Sequence, residues 1–324
     1  MRNLQELPKF RDGLSYVYVE HGRIEQQDKA VAWWSPEGIV AIPAAALGVL
    51  FLGPGTSITH AAMKSLADCG CTVCWVGEDQ MRFYAVGMGE TRSSASLLRQ
   101  VEAWADPKRH LEIVRRLYMM RFRDPVPPDL DLQQIRGLEG VRVRDTYARA
   151  SRGTGVPWRG RNYNRSDWTG SDPINRALSA GAACLYGVCH AAIVSSGYSP
   201  ALGFIHTGKQ LSFVYDVADL YKMETVVPAA FEASASSEKG VERRVRSLLR
   251  ERLRAARVLE RAVDDLHRLF ERPGGGEDLY AVDGAKPGAL WGLEGAVPGG
   301  VAYGCDGAGE GADEPTGRAD PVDD

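Results

Sequence analysis

The sequence predicts an α+β protein in which a β-rich module precedes a helical one. The chain has 324 residues, a length that favours two domains. From about residue 12 to 90, short apolar or alternating runs are separated by turn residues, a pattern typical of β-strands. From about Ser93 onward, the apolar residues recur with a helical period.

Five short strands and one helix are predicted first in the N-terminal module. The helix should have Thr59 or Thr56 as its N-cap and should stop at Gly70. Turn residues such as Ser35-Pro36 separate the strands. The predicted strands are L-S-Y-V-Y-V-E, A-V-A-W-W, G-I-V-A-I-P, L-G-V-L-F-L-G and R-F-Y-A-V-G.

A further buried strand is predicted in C-G-C-T-V-C-W-V. On a strand, Cys69 and Cys71 would point to one face and Cys74 to the other. No second cysteine pair follows at the spacing of a zinc site, so buried strand cysteines are favoured over a zinc or redox site. The N-terminus has no apolar signal core, so we expect a reducing, cytoplasmic location.

The C-terminal module is predicted to be all-helical. Asp106-Pro107 and Asp172-Pro173 each combine an N-cap with a proline in the first turn. The most apolar stretch, Ala177–Ser195, is interrupted by small and polar residues, which favours a buried helix over a membrane span. The predicted helices run from about Ser93 to Ala105, Pro107 to Arg123, Leu132 to Ser151, Asp172 to Gly197, Gln210 to Phe231 with an interruption at Pro228, and Gly240 to Arg272.

The formal net charge of −3 conceals an acidic end and a basic body. Residues 277–324 hold eleven acidic and two basic residues, so the remainder has 37 basic and 31 acidic residues. This asymmetry favours nucleic-acid binding, with a solvated basic surface as the alternative. Residues 273–324 are rich in Gly, Pro, Asp and Glu, and we expect them to form a disordered tail.

Three residues of ligand type stand out in arginine-rich surroundings: Glu139, His206 and Asp219. Two carboxylates and an imidazole can hold a divalent cation, and oxygen-rich ligation favours Mg²⁺ or Mn²⁺. A cation beside positive charge suits phosphodiester chemistry on a polyanion. Asp216 and Asp219 are three residues apart and would share a helical face. From spacing alone, an ion pair for Glu139 and an ordinary hydrogen-bonding role for His206 stay open.

The segment at 153–169 carries aromatic residues among arginines. Trp158, Tyr163 and Trp168 are interspersed with three arginines. This mixture suits stacking and charge pairing with DNA strands. Packing of the aromatic loop on its own domain is the alternative.

Several stretches make the chain resemble a known family. These stretches are L-P-K-F-R-D-G-L-S-Y-V-Y-V-E-H-G-R-I-E, P-G-T-S-I-T-H-A-A, W-V-G-E-D-Q-M-R-F-Y-A, R-G-L-E-G-V-R-V-R-D-T-Y, I-N-R-A-L-S-A-G-A-A-C-L-Y-G-V and G-F-I-H-T-G-K-Q-L-S-F-V-Y-D-V-A-D-L-Y-K. They extend from about Leu7 to Arg272. Through them the chain resembles the CRISPR-associated endonuclease/integrase that forms the catalytic subunit of spacer acquisition, in its type I-E branch.

The resemblance implies how the chain is divided. Residues 1–90 would form a β-sandwich-like dimerisation domain. Residues 91–272 would form an all-helical domain that binds the cation and DNA and carries catalysis. Residues 273–324 match no family motif, so nothing transfers to the acidic tail.

The resemblance also assigns the site. The residues implied in catalysis are Glu139, His206, Asp219, Asp216, Lys222, Tyr186 and Tyr163. Of these, Glu139, His206 and Asp219 would ligate Mg²⁺ or Mn²⁺, Asp216 is a second acidic position, and Lys222 would add positive charge near the transition state. The two tyrosines match positions near the family's DNA path and are expected to position DNA. The expected phosphate contacts are Lys64, Arg82, Arg109, Arg136, Arg243 and Arg246.

The implied reaction inserts short DNA fragments into the CRISPR array, with a DNA 3′-hydroxyl as the nucleophile. The implied partners are double-stranded DNA with 3′ overhangs, CRISPR repeat DNA, a second copy of the chain, and a small ferredoxin-like companion protein; no membrane is involved. Two alternatives stay open. One is a DNA-binding scaffold with an idle cation site, and the other is a stand-alone nuclease that cuts branched DNA.

Overall fold

The computed structural model describes residues 16–27, 30–88, 93–122, 126–127, 129–161, 172–271 and 290. The chain divides into two compact units, Met1–Ala285 and Lys286–Asp324. All the helices and strands given below belong to the first unit, and the second is described only at Leu290. The expected disordered tail therefore lies outside the described residues, apart from Leu290.

The described part of the chain is mixed α+β, with sheets in the N-terminal region and helices in the C-terminal region. The strands are β1 Tyr16–Val19, β2 Gly22–Gln27, β3 Ala30–Ser35, β4 Gly38–Ile42, β5 Val49–Leu52, β6 Thr56–Ile58, β7 Thr72–Val76 and β8 Phe83–Gly87. The helices are α1 His60–Asp68, α2 Ala95–Ala105, α3 Pro107–Met119, α4 Leu132–Thr154, α5 Pro173–Ser195, α6 Ser212–Tyr221, α7 Val226–Ser236, α8 Val241–Ala255 and α9 Val258–Phe270.

The described strands form two four-stranded sheets. The first has the order β1-β5-β7-β8, with β8 antiparallel to β7 and the other neighbours parallel. The second has the order β4-β3-β2-β6, with β6 parallel to β2 and the other neighbours antiparallel.

Strand β5 shows why the first sheet lies between two hydrophobic layers. All four of its residues are buried, and successive side chains point to opposite faces. Val49 and Phe51 join the large core formed with the helices, whereas Leu50 and Leu52 join a second core with the other sheet and α1. A strand that is buried on both faces needs a continuous apolar run, and V-L-F-L supplies it.

The local start and stop signals are confirmed. Side-chain oxygens of Thr59, Asp106 and Asp172 each accept a backbone N–H in the first turn of α1, α3 and α5. The alternative cap, Thr56, lies in β6 instead. Gly70 follows α1 with a φ of +65°, a backbone region that glycine adopts without steric cost.

The prediction that Cys69 and Cys71 lie on a strand is wrong. Helix α1 runs to Asp68, so Cys69 is its C-cap, and β7 begins only at Thr72. The three neighbouring cysteines are nevertheless all buried, and Cys74 lies in the strand as expected. Strands β2 and β6 were not predicted, because β2 is largely polar and only Ile24 in it is fully buried.

Two of the predicted helices are each a pair of helices. The segment from Gln210 to Phe231 breaks between α6 and α7, and Pro228 lies in the first turn of α7 rather than at the interruption. Proline is tolerated there because the first-turn N–H groups have no partner within the helix. The segment from Gly240 to Arg272 breaks at Arg257, which adopts a φ of +47° between α8 and α9.

Helix α5 is the central helix of the C-terminal region. Its mean hydropathy of 1.7 over an 18-residue window would allow it to cross a membrane, but 72% of that window is buried within the protein, as in the core helix of a globular domain. A Cβ atom at Gly187 would lie 2.7 Å from backbone atoms of Met81 and Arg82. The glycine therefore allows the helix to approach the segment that precedes β8.

His190 links α5 to the first sheet and makes the free energy of unfolding depend on pH. Its ring stacks on Phe83 of β8 with centroids 4.0 Å apart, and burial lowers its pKa from 6.5 to about 4. Between these values the unfolded chain binds a proton that the folded protein does not, so the free energy of unfolding falls as the pH falls.

Between about pH 7 and pH 4.5, the free energy of unfolding of the wild type should fall by about 1–2 kcal/mol more than that of His190→Gln, because solvent screens part of the effect of burial. Urea unfolding of both proteins at the two pH values measures this difference. Equal losses in the two proteins would show that His190 is not the group responsible.

Candidate active site

A fully buried carboxylate organises the loop that carries His206. On α6, Asp216 Oδ2 accepts the backbone N–H groups of Phe204 at 2.6 Å and Ile205 at 3.1 Å. Its Oδ1 accepts the backbone N–H of His206 at 2.9 Å and lies 2.7 Å from Nδ1 of the same residue. A proton on Nδ1 donates to this carboxylate, which leaves Nε2 as the ring nitrogen available to a ligand.

Two further features define the His206 loop. A Cβ atom at Gly203 would collide with the carbonyl oxygen of His206, so the loop needs glycine at this position. The pKa of His206 is raised above its usual value, first by the hydrogen bond to Asp216, while partial burial acts in the opposite direction. The buried carboxylate therefore fixes both the backbone and the imidazole.

His206 and Asp219 line one cavity of about 390 Å³. Tyr186 and Tyr215 meet edge to face there, with ring centroids 4.9 Å apart, and Tyr215 lies 5.8 Å from the ring of His206. Burial, and next the negative charge of Asp219, raise the pKa of Tyr186 to about 12. A tyrosine is neutral near pH 7 even at its usual pKa, so Tyr186 can donate a hydrogen bond there, and the raised pKa extends this to more alkaline pH. The lining residues are Arg161, Ser179, Ala182, Tyr186, His206, Tyr215, Asp219 and Lys222.

Glu139 joins this site through a shared arginine. The guanidinium of Arg121 lies 3.6 Å from Glu139 Oε1 and 3.6 Å from Asp219 Oδ2, and only 5% of its side chain is exposed. Its Nε and Nη2 make no hydrogen bond within the described part of the chain. Arg142 holds Glu139 through two hydrogen bonds of 2.8 and 2.9 Å, and Lys222 lies 3.7 Å from Asp219.

The donor types suit a divalent cation, although the side chains are not arranged around one. Among the described residues, no three His, Cys, Asp or Glu side chains are gathered as metal ligands. Glu139 and Asp219 are drawn instead to arginine and lysine. Arg121 shows that both carboxylates already share one positive group, and Asp216 orients the imidazole of His206 as the partners of metal-binding histidines do. The ligand set of Glu139, His206 and Asp219 stays a prediction.

The other predicted residues are dispersed over the fold. Tyr163 and Trp168 lie outside the described residues. Trp158 stacks on Tyr147 with centroids 4.5 Å apart and packs on the large core, so at this residue the loop packs on its own domain. Among the expected phosphate contacts, Lys64 pairs with Asp68 and Arg109 pairs with Glu112; Arg82, Arg136 and Arg243 are exposed and Arg246 is half-buried.

Sequence reasoning missed the arginines that hold the site together. Arg142 lies three residues after Glu139 on α4, so the helical spacing of ion pairs would have indicated it. Arg121 follows α3 and reaches both carboxylates only through the tertiary fold. Arg161 is one of the three arginines of the segment at 153–169, for which the sequence leaves DNA contact and packing on the protein both open; in the structure it donates to Asn175 and Ser179 on α5. A larger cavity of about 540 Å³, between α3 and α9, contains none of the predicted residues.

The sequence matches a known protein family. The family model described as CRISPR associated protein Cas1 matches residues 15–125 and 119–255. The chain belongs to the Cas1 family. A CRISPR-associated endonuclease Cas1 from Thermus thermophilus is 62% identical over 318 residues, which cover 98% of each chain.

Solved Cas1 structures support the same assignment. TtCas1 in complex with DNA is similar at a TM-score of 0.77 and 62% identity, covering 82% of this chain and 99% of that one. A casposase bound to integration product has a TM-score of 0.56 at 15% identity, covering 79% of this chain and 95% of that one, which shows a shared fold. The mixed architecture with N-terminal sheets and C-terminal helices is therefore that of Cas1 proteins.

Proposed function

We infer that this Cas1 protein is a divalent-cation-dependent DNA endonuclease and integrase of CRISPR adaptation, which inserts short DNA fragments into the CRISPR array. The observation that carries the proposal is the shared cavity of His206, Asp219 and Lys222, with Asp216 fixing the imidazole. This site lies in a chain whose relatives are named CRISPR-associated endonucleases.

Mg²⁺ or Mn²⁺ would be held by Glu139, His206 and Asp219. When bound, such a cation polarises the target phosphate and lowers the pKa of an attacking hydroxyl. The nucleophile is a 3′-hydroxyl of the incoming DNA, so the chain itself supplies no serine or cysteine nucleophile. Asp216 positions His206 and does not touch the reacting atoms.

The remaining cavity residues orient the DNA. Lys222 and Arg161 bring positive charge to the cavity that would receive the target phosphate. Tyr186, a neutral phenol in the cavity, would donate a hydrogen bond there, and no covalent tyrosyl role is proposed for it. Tyr163, which lies outside the described residues, is proposed as a second positioning group.

We propose that the DNA partners are duplexes with 3′ overhangs and the CRISPR repeat, and that the protein works in the cytoplasm. A relative was solved with DNA bound. The proposed phosphate contacts are Lys64, Arg82, Arg109, Arg136, Arg243 and Arg246. Binding through phosphates should fall steeply with salt and depend little on fragment sequence.

We propose that residues 1–90 provide the homodimer contact and residues 91–272 the catalytic, DNA-binding domain. Strand β4 is an edge of the second sheet, and its Ile39 and Val40 are both about half exposed. Trp34 of β3, also exposed, is the cross-strand neighbour of Ile39. An exposed apolar edge of this kind supports protein–protein contact. The small ferredoxin-like companion protein would bind the dimers.

A joining assay tests the proposed function. A labelled duplex with 3′-hydroxyl overhangs is mixed with a plasmid carrying a CRISPR repeat, the companion protein and Mn²⁺. We expect covalent transfer of label to the plasmid, and none when the duplex ends in 3′-dideoxy nucleotides, because the nucleophile is then missing. The ion pairs of Glu139 and Asp219 would also fit a DNA-binding scaffold whose cation site is idle. Such a scaffold transfers no label from either duplex. A stand-alone nuclease cuts branched DNA without the companion and transfers no label.

A further inference from the structure

The two candidate carboxylate ligands are paired with more positive groups than they can neutralise. Glu139 and Asp219 carry two negative charges, whereas their ion-pair partners Arg121, Arg142 and Lys222 carry three positive charges. Asp216 adds a third negative charge, but it lies at His206 and not at these two carboxylates. A divalent cation that binds Glu139 and Asp219 must therefore compete with three positive groups, and repulsion by these groups opposes its binding.

Both carboxylate oxygens of Glu139 are already occupied by hydrogen bonds. Both of its oxygens accept hydrogen bonds from Arg142, at 2.8 and 2.9 Å, and bidentate arginine–carboxylate pairs are among the strong hydrogen bonds of proteins. A cation can use these oxygens fully only after Arg142 has moved. The side chain of Arg142 is 24% exposed and lies over the ring of Phe122 at 5.8 Å. The side chain of Arg142 can therefore rotate away from Glu139 into solvent.

Arg121 differs from Arg142 in this respect. It is almost completely buried and its guanidinium lies 5.0 Å from the ring centroid of Tyr118. It cannot leave without repacking the core around it. Lys222 is 22% exposed, lies 3.7 Å from Asp219 and lines the cavity. The movable positive groups are thus Arg142 and Lys222, and Arg121 is the fixed one.

A DNA phosphate supplies what these two groups need in order to move. In the cavity it would bring negative charge beside Lys222 and Arg161, and a second phosphate within reach of α4 would offer Arg142 another anion. Each phosphate gained as a partner lowers the cost of releasing a carboxylate. The same negative charge reduces the repulsion that a divalent cation meets.

We propose that Arg142 and Lys222 couple divalent-cation binding to DNA binding. In the free protein they hold Glu139 and Asp219, and in the DNA complex they pair with phosphates and release both carboxylates to the cation. The inference rests on the proposed function, since it assumes that Glu139 and Asp219 ligate the cation. Coupling must be reciprocal, and couplings between sites are commonly about 5- to 150-fold. The protein would therefore hold its cation tightly only when DNA is bound.

The test measures Mn²⁺ affinity directly, by electron paramagnetic resonance of the free ion. Full-length protein is titrated alone and with a duplex that ends in 3′-dideoxy nucleotides, so that no joining occurs. Mn²⁺ that binds the DNA itself is measured with the same duplex in the absence of protein and is subtracted. We expect DNA to tighten Mn²⁺ binding about tenfold or more, and Mn²⁺ to tighten DNA binding, measured by fluorescence anisotropy, by the same factor.

Two variants identify the groups responsible. Arg142→Gln and Lys222→Met should each tighten Mn²⁺ binding to the free protein about fivefold or more, and each should shrink the effect of DNA. Arg144→Gln is the matched control, because Arg144 is an exposed arginine on the same helix that pairs with neither carboxylate among the described residues. Its affinity should stay within about twofold of the wild type. Urea unfolding of each variant establishes that it is folded.

Each outcome is decisive. The proposal is overturned if DNA leaves Mn²⁺ affinity unchanged, or if both variants bind Mn²⁺ no more tightly than Arg144→Gln. Failure of the proposed function has a different signature. In that case Asp219→Asn binds Mn²⁺ as the wild type does, with and without DNA, because Asp219 is then not a ligand.

Discussion

Asp219→Asn is expected to reduce DNA joining at least about 1,000-fold, which corresponds to roughly 4 kcal/mol of lost transition-state stabilisation. Asp219 lines the cavity with His206 and Lys222. The amide has nearly the same shape as the carboxylate but carries no charge and binds a divalent cation weakly. The loss should therefore appear in the rate of the chemical step even when DNA is saturating.

The fold of this variant should be retained. Arg121 keeps its pairing with Glu139 and loses one partner at 3.6 Å, so the free energy of unfolding should fall by only about 1 kcal/mol. A single-turnover joining assay at saturating DNA measures the rate, and urea unfolding measures stability. Asp145→Asn, which neutralises an exposed carboxylate on α4, is the matched control and should join DNA at the wild-type rate. An Asp219→Asn protein that retains a tenth of the wild-type rate would remove Asp219 from the ligand set.

The parts of this fold that could be predicted from sequence are those specified by local chemistry. Helix starts could be predicted at Thr59, Asp106 and Asp172. The side chains of these residues accept hydrogen bonds from first-turn N–H groups that have no carbonyl partner within the helix. The buried run of β5 and the apolar helix α5 are equally local signals. Each of these features depends on residues only a few positions apart in the chain.

The missed features depend on the tertiary fold. The break at Arg257 carries no glycine or proline, and a left-handed arginine is maintained by the packing of α8 and α9 around it. Strand β2 is mostly polar, and it is a strand because β3 and β6 flank it on both sides. The spacing of apolar residues could not indicate either feature, since no local residue pattern encodes the break at Arg257 or the strand β2.

The candidate site shows the same division. The spacing of Asp216 and Asp219 predicted that the two carboxylates share one helical face. In the structure the charges are offset separately, Asp216 by the His206 loop and Asp219 by Arg121 and Lys222. The role of Asp216 depends on a loop about ten residues upstream that folds back onto α6. Sequence spacing alone therefore identified the carboxylates without distinguishing their tasks.

Asp216→Asn is expected to destabilise the protein much more than the same change at Asp219. Asp216 is fully buried and accepts four hydrogen bonds, three from backbone N–H groups and one from Nδ1 of His206. Asparagine has a single acceptor oxygen, and its NH₂ group would face donors that it cannot satisfy. Each buried donor left without an acceptor costs about 1–3 kcal/mol, so we expect a loss of about 3 kcal/mol or more in the free energy of unfolding.

The Asp216 variant should also lose function for a reason that differs from that of Asp219→Asn. In protein that is still folded at low temperature, His206 is no longer oriented, and loss of such a supporting partner typically weakens a metal site about 10- to 100-fold. Urea unfolding and Mn²⁺ titration in the presence of DNA, performed on both asparagine variants, separate the two effects. Asp219→Asn should keep its unfolding midpoint near the wild type and lose Mn²⁺ binding, whereas Asp216→Asn should shift the midpoint strongly and retain weakened binding. If Asp216→Asn unfolds at the wild-type urea concentration, the buried hydrogen bonds of Asp216 do not maintain the His206 loop.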